Sequence, residues 1–212
     1  LRLMVGIGGG VPGRSDIRLG DVVVSDQVVQ YDLGKTVQNG EFQRSSAPVK
    51  PPQALLTAVS KLEANHASEP SKMPTILSEM LKKHPLMTEY TRRDTLQDQL
   101  FDSTYDHVDP VDGCDSCSAS RLIQRPPRPN MGPKTHYGVI ASGNQVMRHG
   151  RTRDKLAREL GAICFEMEAA GLMDHFQCLV VRGICDYSDS HKNKDWQKYA
   201  AATAAAYTRE LL

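Results

Sequence analysis

The 212-residue sequence predicts an α/β fold built on a layered sheet. Three observations carry that prediction. From His136 to Leu212, short apolar runs alternate with helical patterns, the mark of strands and helices taken in turn. The strand-like runs are rich in Val, as strands buried on both faces should be. The length suits one domain with a sizeable core, and no internal repeat of solenoid period occurs.

Taken in order, Leu1–Ile7 reads as a buried strand already in progress. It leads into a glycine turn, Gly6-Ile7-Gly8-Gly9-Gly10-Val11-Pro12-Gly13. A second strand is expected at Asp21–Ser25. Gln53–Ala64 predicts a helix with Leu55, Leu56, Val59 and Leu62 on one face, and Thr75–Lys83 predicts another. Residues 84–135 read as a loop-rich insertion within a single domain, 1–212. Gln124-Arg125-Pro126-Pro127-Arg128-Pro129 can continue neither a helix nor a central strand, and loops this long are usually functional or disordered. Then come a strand at Tyr137–Ala141, a helix at Arg151–Leu160 and a strand at Ala162–Phe165. A helix at Glu168–Phe176, a strand at Cys178–Ile184 and an Ala-rich closing helix at Asp195–Leu212 complete the series. The first strand has no initiator Met and no lead-in, so further sequence is expected upstream of Leu1.

Composition narrows the partners. Hydrophobic residues make up 40%, charged residues 24%, and the formal net charge is +1. No global field therefore argues for a nucleic-acid or membrane partner. No apolar run could span a bilayer, and Leu1-Arg2-Leu3-Met4-Val5 does not form a signal peptide. Of five cysteines, Cys164, Cys178 and Cys185 sit in core-like runs. That fits a reducing compartment, and a cytoplasmic protein is expected.

Two acidic residues fall where chemistry is expected. Ligands of open α/β sheets bind outside the carboxyl ends of strands. Glu168 follows one strand, and its carboxylate could accept paired hydroxyl hydrogen bonds. Glu166, two residues earlier, is expected to face the other way. Asp186 follows another strand, where a partly desolvated carboxylic acid can donate a proton. Position alone also allows helix-start or cap roles for both. The glycine turn lacks a dinucleotide fingerprint and a Walker lysine. Cys114 and Cys117 supply only two metal ligands. His107 and His136 could add to them but sit at no standard zinc spacing, so no metal site is assigned.

Together these strings resemble a family. Phe165-Glu166-Met167-Glu168-Ala169-Ala170 and Val180-Val181-Arg182-Gly183-Ile184-Cys185-Asp186-Tyr187-Ser188-Asp189 resemble motifs of the nucleoside phosphorylase and nucleosidase superfamily. So do the glycine turn, Leu19-Gly20-Asp21-Val22-Val23-Val24-Ser25 and Ala141-Ser142-Gly143-Asn144, all in the family's order. The resemblance implies a three-layer α/β/α fold with a central mixed sheet, phosphorylase/hydrolase-like and amino-terminally incomplete. It implies that Glu168 holds the ribose hydroxyls beside Met167, and that Asp186 protonates the purine as general acid. Val146 and Met147 would meet the base, and Ser142, Gly143, Arg182 and Cys185 would complete the substrate side. Gly6, Ile7, Gly8 and Gly9 would line the anion or nucleophile side. Ile7 and Met4 stand where phosphate-using members carry polar groups, which favours hydrolysis over phosphorolysis. The expected ligand is a purine nucleoside or nucleotide, with no cofactor beyond inorganic phosphate if the reaction is phosphorolytic. A homo-oligomer is expected from the family.

The middle stretch resembles a narrower group. Asp98-Gln99-Leu100-Phe101, Tyr105-Asp106-His107, Cys114-Asp115-Ser116-Cys117 and Pro133-Lys134-Thr135-His136-Tyr137-Gly138 are similar to the phosphorylase-like domains at the head of fungal receptor-type immune proteins. Some relatives there cleave adenine from ATP. That implies that Arg92, Arg93, Arg121, Arg125, Arg128 and Lys134 could meet a triphosphate.

Overall fold

The computed structural model describes residues 1–13, 15–108, 113–130 and 132–212. Residues 109–112 and 131, part of the expected insertion, lie outside the described ones. Strands β1 (Leu3–Gly10) and β2 (Val22–Gln30) come first. A small hairpin of β3 (Gly34–Thr36) and β4 (Phe42–Arg44) follows. Helices α1 (Gln53–His66) and α2 (Met73–Lys83) precede the middle stretch. Among its described residues, 84–134 holds only two short 3-10 turns, Thr88–Tyr90 and Ala119–Arg121, and a bridge between Phe101 and Leu122. The chain ends with β5 (Thr135–Ser142), α3 (Gly150–Leu160), β6 (Ala162–Glu166), α4 (Ala169–Met173), β7 (Leu179–Asp186) and α5 (Gln197–Leu211).

The five long strands form one mixed sheet in the order β1-β6-β5-β2-β7, and β7 pairs back onto β1, so the sheet closes. β1 runs parallel to β7, β2 to β5 and β5 to β6. The β2–β7 and β1–β6 pairs are antiparallel. The β1–β6 seam is short, with only Gly9↔Phe165 and Gly10↔Cys164 in register.

Strand alternation explains the layering, because successive side chains point to opposite faces. Val23, Val28, Ile140, Cys164, Val180 and Ile184 share one cluster inside the closed sheet. Their neighbours Val22, Val24, Leu179 and Val181 face outward, onto Leu55 and Val59 of α1, Met73 of α2 and Ala204 and Tyr207 of α5. On another side Val139, Ala141, Ala162 and Phe165 pack with Leu156 and Ala157 of α3. Helices thus flank a central mixed sheet, as expected. At Gly183 a Cβ would overlap the carbonyl of Ala200, so α5 lies directly on the β7 backbone there.

The glycine segment is strand rather than turn, because β1 continues through Gly10. Without side chains it can lie close to its neighbours: a Cβ at Gly9 would stand 2.6 Å from Asp186 Oδ1. The helix expected at Glu168–Phe176 is only Ala169–Met173. The strand expected to end at Ile184 runs on to Asp186.

The insertion is tied to the sheet through Asp21, which precedes β2. Arg128 donates to both of its carboxylate oxygens, at 2.8 and 2.7 Å. His136 Nε2 lies 2.9 Å from Oδ2, and the Lys134 and Arg18 backbone N–H groups add bonds of 2.9 and 2.8 Å. Burial works to raise the pKa of Asp21, but the hydrogen bonds from His136 and Arg128 outweigh it and hold the group below its ordinary value. Arg125 is engaged likewise, by Asp98 at 2.6 Å and the Tyr187 hydroxyl at 2.7 Å. The two arginines of the Arg-Pro-Pro-Arg run thus clamp the insertion to the residues around the sheet.

Candidate active site

The ends of three strands converge at Gly9, which is the register partner of both Phe165 on β6 and Asp186 on β7. A cleft opens there. Ile7, Gly8 and Gly9 form one wall, and Gln145, Val146 and Met147 form a second. Phe165, Glu166, Met167 and Glu168 make a third, closed by Cys185, Ser188, Lys192 and Gln197. Of the expected site residues, Ile7, Gly8, Gly9, Val146, Met147, Met167, Glu168 and Cys185 line this cleft. Asp186 lies just behind it, against the lining residues Cys185, Ser188 and Lys192.

Arg182 shares the inward parity of Val180 and Ile184, so its guanidinium lies inside the closed sheet. Its Nη2 meets Glu166, and it also donates to Glu168 Oε2 at 2.9 Å. Nη1 reaches the Ile7 carbonyl at 3.3 Å, and a Cβ on Gly6 would fall within the guanidinium. Glu166 also accepts the backbone N–H groups of Glu168 and Ala169, at 3.2 and 3.0 Å. It therefore does not face away from Glu168. The strand ends at Glu166 and the chain turns at Glu168 (φ −122°, ψ −29°), which brings both carboxylates onto one guanidinium. Their exposures differ sharply: the Glu166 side chain is 1% accessible and that of Glu168 59%. Glu166 positions the turn, and Glu168 offers its carboxylate to the cleft.

Ser142 and Gly143 stand outside the lining. The Ser142 hydroxyl accepts the Ala170 N–H at 2.9 Å, and the Gly143 N–H reaches the Glu166 carbonyl at 3.2 Å. Both fasten β5 to the turn that carries Glu168.

Asp186 is 2% accessible and fully engaged. Ser188 N–H donates to Oδ1 at 2.8 Å, an Asx-type turn, and Ser188 itself has a positive φ of 54°. Lys192 Nζ lies 3.0 Å from Oδ2. The Cys185 thiol donates to the same oxygen at 3.2 Å. Burial, then the adjacent Asp186 charge, push that thiol well above its ordinary value, so it stays protonated and can donate. Cysteine thus fills the hydrogen-bonding place next to the aspartate. The loop beyond is held from below by buried Arg153 of α3, which donates to the Tyr187 carbonyl at 2.7 Å and faces Asp189 at 3.6 Å.

Lys192, Glu166, Gln145 and Gln197 were not singled out from sequence for this cleft. Glu166 was not legible, because its approach to Glu168 depends on the turn that follows the end of β6. Neither was Lys192, because its place depends on how an irregular loop folds back.

A closed mixed sheet whose strand ends gather two glutamates, an arginine and an aspartate around one cleft defines an α/β protein with a carboxylate-bearing ligand cleft. The chain belongs to the phosphorylase superfamily, whose family model matches residues 3–212. It is 43% identical to a nucleotide-binding leucine-rich repeat (NLR)-like protein of Hyaloscypha variabilis over 217 residues. That match covers 99% of this chain and 21% of that protein. A 5′-methylthioadenosine/S-adenosylhomocysteine nucleosidase of Mycobacterium bovis is 31% identical over 85 residues, 38% of this chain and 33% of that protein. The chain thus matches only a fifth to a third of the length of these curated relatives.

Solved structures share the fold. A Helicobacter pylori 5′-methylthioadenosine/S-adenosylhomocysteine nucleosidase superposes with a TM-score of 0.54 at 17% identity, covering 98% of this chain and 66% of that one. The same organism's futalosine hydrolase gives 0.54 and 17%, over 99% and 66%. A Neisseria meningitidis nucleosidase in complex with methylthio-immucillin-A gives 0.56 and 15%, over 99% and 67%.

Proposed function

We propose that this chain cleaves the N-glycosidic bond of a purine nucleoside or nucleotide, with water as the nucleophile. One observation carries the reading: a half-exposed Glu168, oriented by Arg182, faces the same cleft that Asp186 backs. Glu168 accepts the two ribose hydroxyls, with Met167 beside the sugar, while Val146 and Met147 cover the base. As the C1′–N9 bond breaks, its electron pair passes to the purine and Asp186 supplies a proton to a purine ring nitrogen. Water adds to C1′, and the proton it releases returns through solvent to the Asp186–Lys192 pair, which restores the donor. A ring nitrogen that reaches Asp186 Oδ2 competes there with Lys192, so the pair can supply that proton between them.

Two features favour water over phosphate. Arg182 is committed to two carboxylates and the Ile7 carbonyl, and Ile7 presents an apolar side chain on the nucleophile side. Among the described lining residues Lys192 is the one cation, and it is bound to Asp186. The same-superfamily nucleosidases support a nucleosidase reading, and the NLR-like relative supports a place in such a receptor. A cytoplasmic homo-oligomer without a cofactor completes the proposal, and light scattering tests the assembly.

The test is purine release from adenosine, inosine and ATP, with and without phosphate, followed by chromatography. Release should be independent of phosphate, and Asp186→Asn should lower it on the order of a hundredfold or more with the fold intact. Ribose 1-phosphate formed only with phosphate would establish phosphorolysis instead. Calorimetric binding of ATP or adenosine without any turnover would make the chain a nucleotide-binding module.

A further inference from the structure

The insertion brings together three side chains that the cleft does not use. His107, Cys114 and Cys117 place one ligand atom each within 4.8 Å of one another, and all three are half-buried. His136, the other histidine considered for such a set, is bound to Asp21 instead. All five cysteines are free thiols.

We propose that His107, Cys114 and Cys117 bind a Zn²⁺ ion, with water in the fourth tetrahedral position. The donor set selects the metal. Two thiolates and an imidazole suit zinc and disfavour calcium or magnesium, which take oxygen ligands. The spacing needs little adjustment, since Zn–S of about 2.3 Å sets tetrahedral ligand atoms about 3.8 Å apart. One ring nitrogen of His107, Nε2, already lies 2.6 Å from the Gly113 carbonyl. A ring N–H fixed to a backbone carbonyl is how ligating histidines are usually oriented. Two thiol protons leave for solvent as the two Zn–S bonds form.

The location gives the ion a task. The His107 N–H donates to Ser190 Oγ at 2.9 Å. Cys114 Sγ lies 4.0 Å from the His191 carbonyl. The His191 ring stacks on Phe101 at 4.0 Å and meets His107 edge-on at 5.4 Å. A metal here would fasten the insertion to the loop that carries Ser188 and Lys192, and so to Asp186. The ion is a positioning device rather than a reactant, and the site stands independently of the proposed nucleosidase reaction.

The test uses the whole chain, purified without an affinity metal. Elemental analysis should find about one zinc per chain. Zinc-free protein titrated with Co²⁺ should show thiolate-to-cobalt charge-transfer absorption. Cys117→Ser and His107→Gln should each weaken Co²⁺ binding more than tenfold, and adding zinc should raise the Tm of the wild type but not of Cys117→Ser. Folded wild-type protein that gives no charge-transfer band overturns the proposal, whatever the variants do. So does a Cys114–Cys117 disulfide in protein isolated anaerobically.

Discussion

At Glu166 and Glu168 two carboxylates share one guanidinium but sit in different surroundings. Glu166 is sealed inside the sheet with Arg182, while Glu168 remains largely in solvent. Losing one partner of a buried ion pair typically costs about 3–5 kcal/mol, because the other is left uncompensated. Glu166→Ala should therefore lower stability by roughly that amount in denaturant unfolding. Glu168→Ala, at an exposed pair worth about 0–1 kcal/mol, should leave stability nearly unchanged. Its effect should appear in purine release, chiefly as loss of substrate binding. Equal destabilisation by the two variants would contradict this division of labour. The motif Phe165-Glu166-Met167-Glu168 showed in sequence that acidic groups meet a strand end. It did not show that Arg182, sixteen residues on, would join them, because that contact needs β6 and β7 brought across the end of β1. Asp186 was legible for the same local reason, but the Lys192 beside it was hidden in a loop without periodic pattern.

Among the elements, the Arg-Pro-Pro-Arg-Pro run behaves least as its composition suggested. Proline excludes it from helix and sheet, but Arg128 and Arg125 anchor it through Asp21, Asp16 and Asp98. Asp16 shows the electrostatics. Its slight burial acts upward, yet bonds and charge from Arg18 and Arg128 hold it down to about 2. Asp21 is depressed as well, through its bonds from His136 and Arg128. A depressed carboxylate contributes stability above its unfolded pKa, near 3.9, and loses it as pH falls through the folded value. The wild-type Tm should thus decline steeply below about pH 4. Asp21→Asn should lower the neutral-pH Tm and flatten that acid limb, and parallel curves would count against the clamp. The regular elements were readable in place and type, apart from the β3–β4 hairpin, because hydrophobic periodicity is local. Their ends were less so: β1 runs through Gly10 because Arg182 and Asp186 occupy the space that side chains would fill. Alternation predicted buried strands, but not that β7 would pair with both β1 and β2 and close the sheet.

For the molecule as a whole, closure removes the free strand edges from the central sheet. The joints around the ring are unequal. β1 and β7 match over seven register pairs, whereas β1 and β6 share two, extended by one bond from Val11 N–H to the Ile163 carbonyl. That short joint lies beside Glu166 and Asp186. A ring opens at its weakest link, so the lowest-energy opening of this sheet should occur there and not at β1–β7. In native-state hydrogen exchange, the Val11 and Phe165 amides should exchange well before those of Leu179 and Val181, which face β1. A purine ligand spanning Glu168 and Asp186 should slow them selectively. The active site would then act as a clasp, with bound substrate completing the ring that the backbone alone fastens lightly.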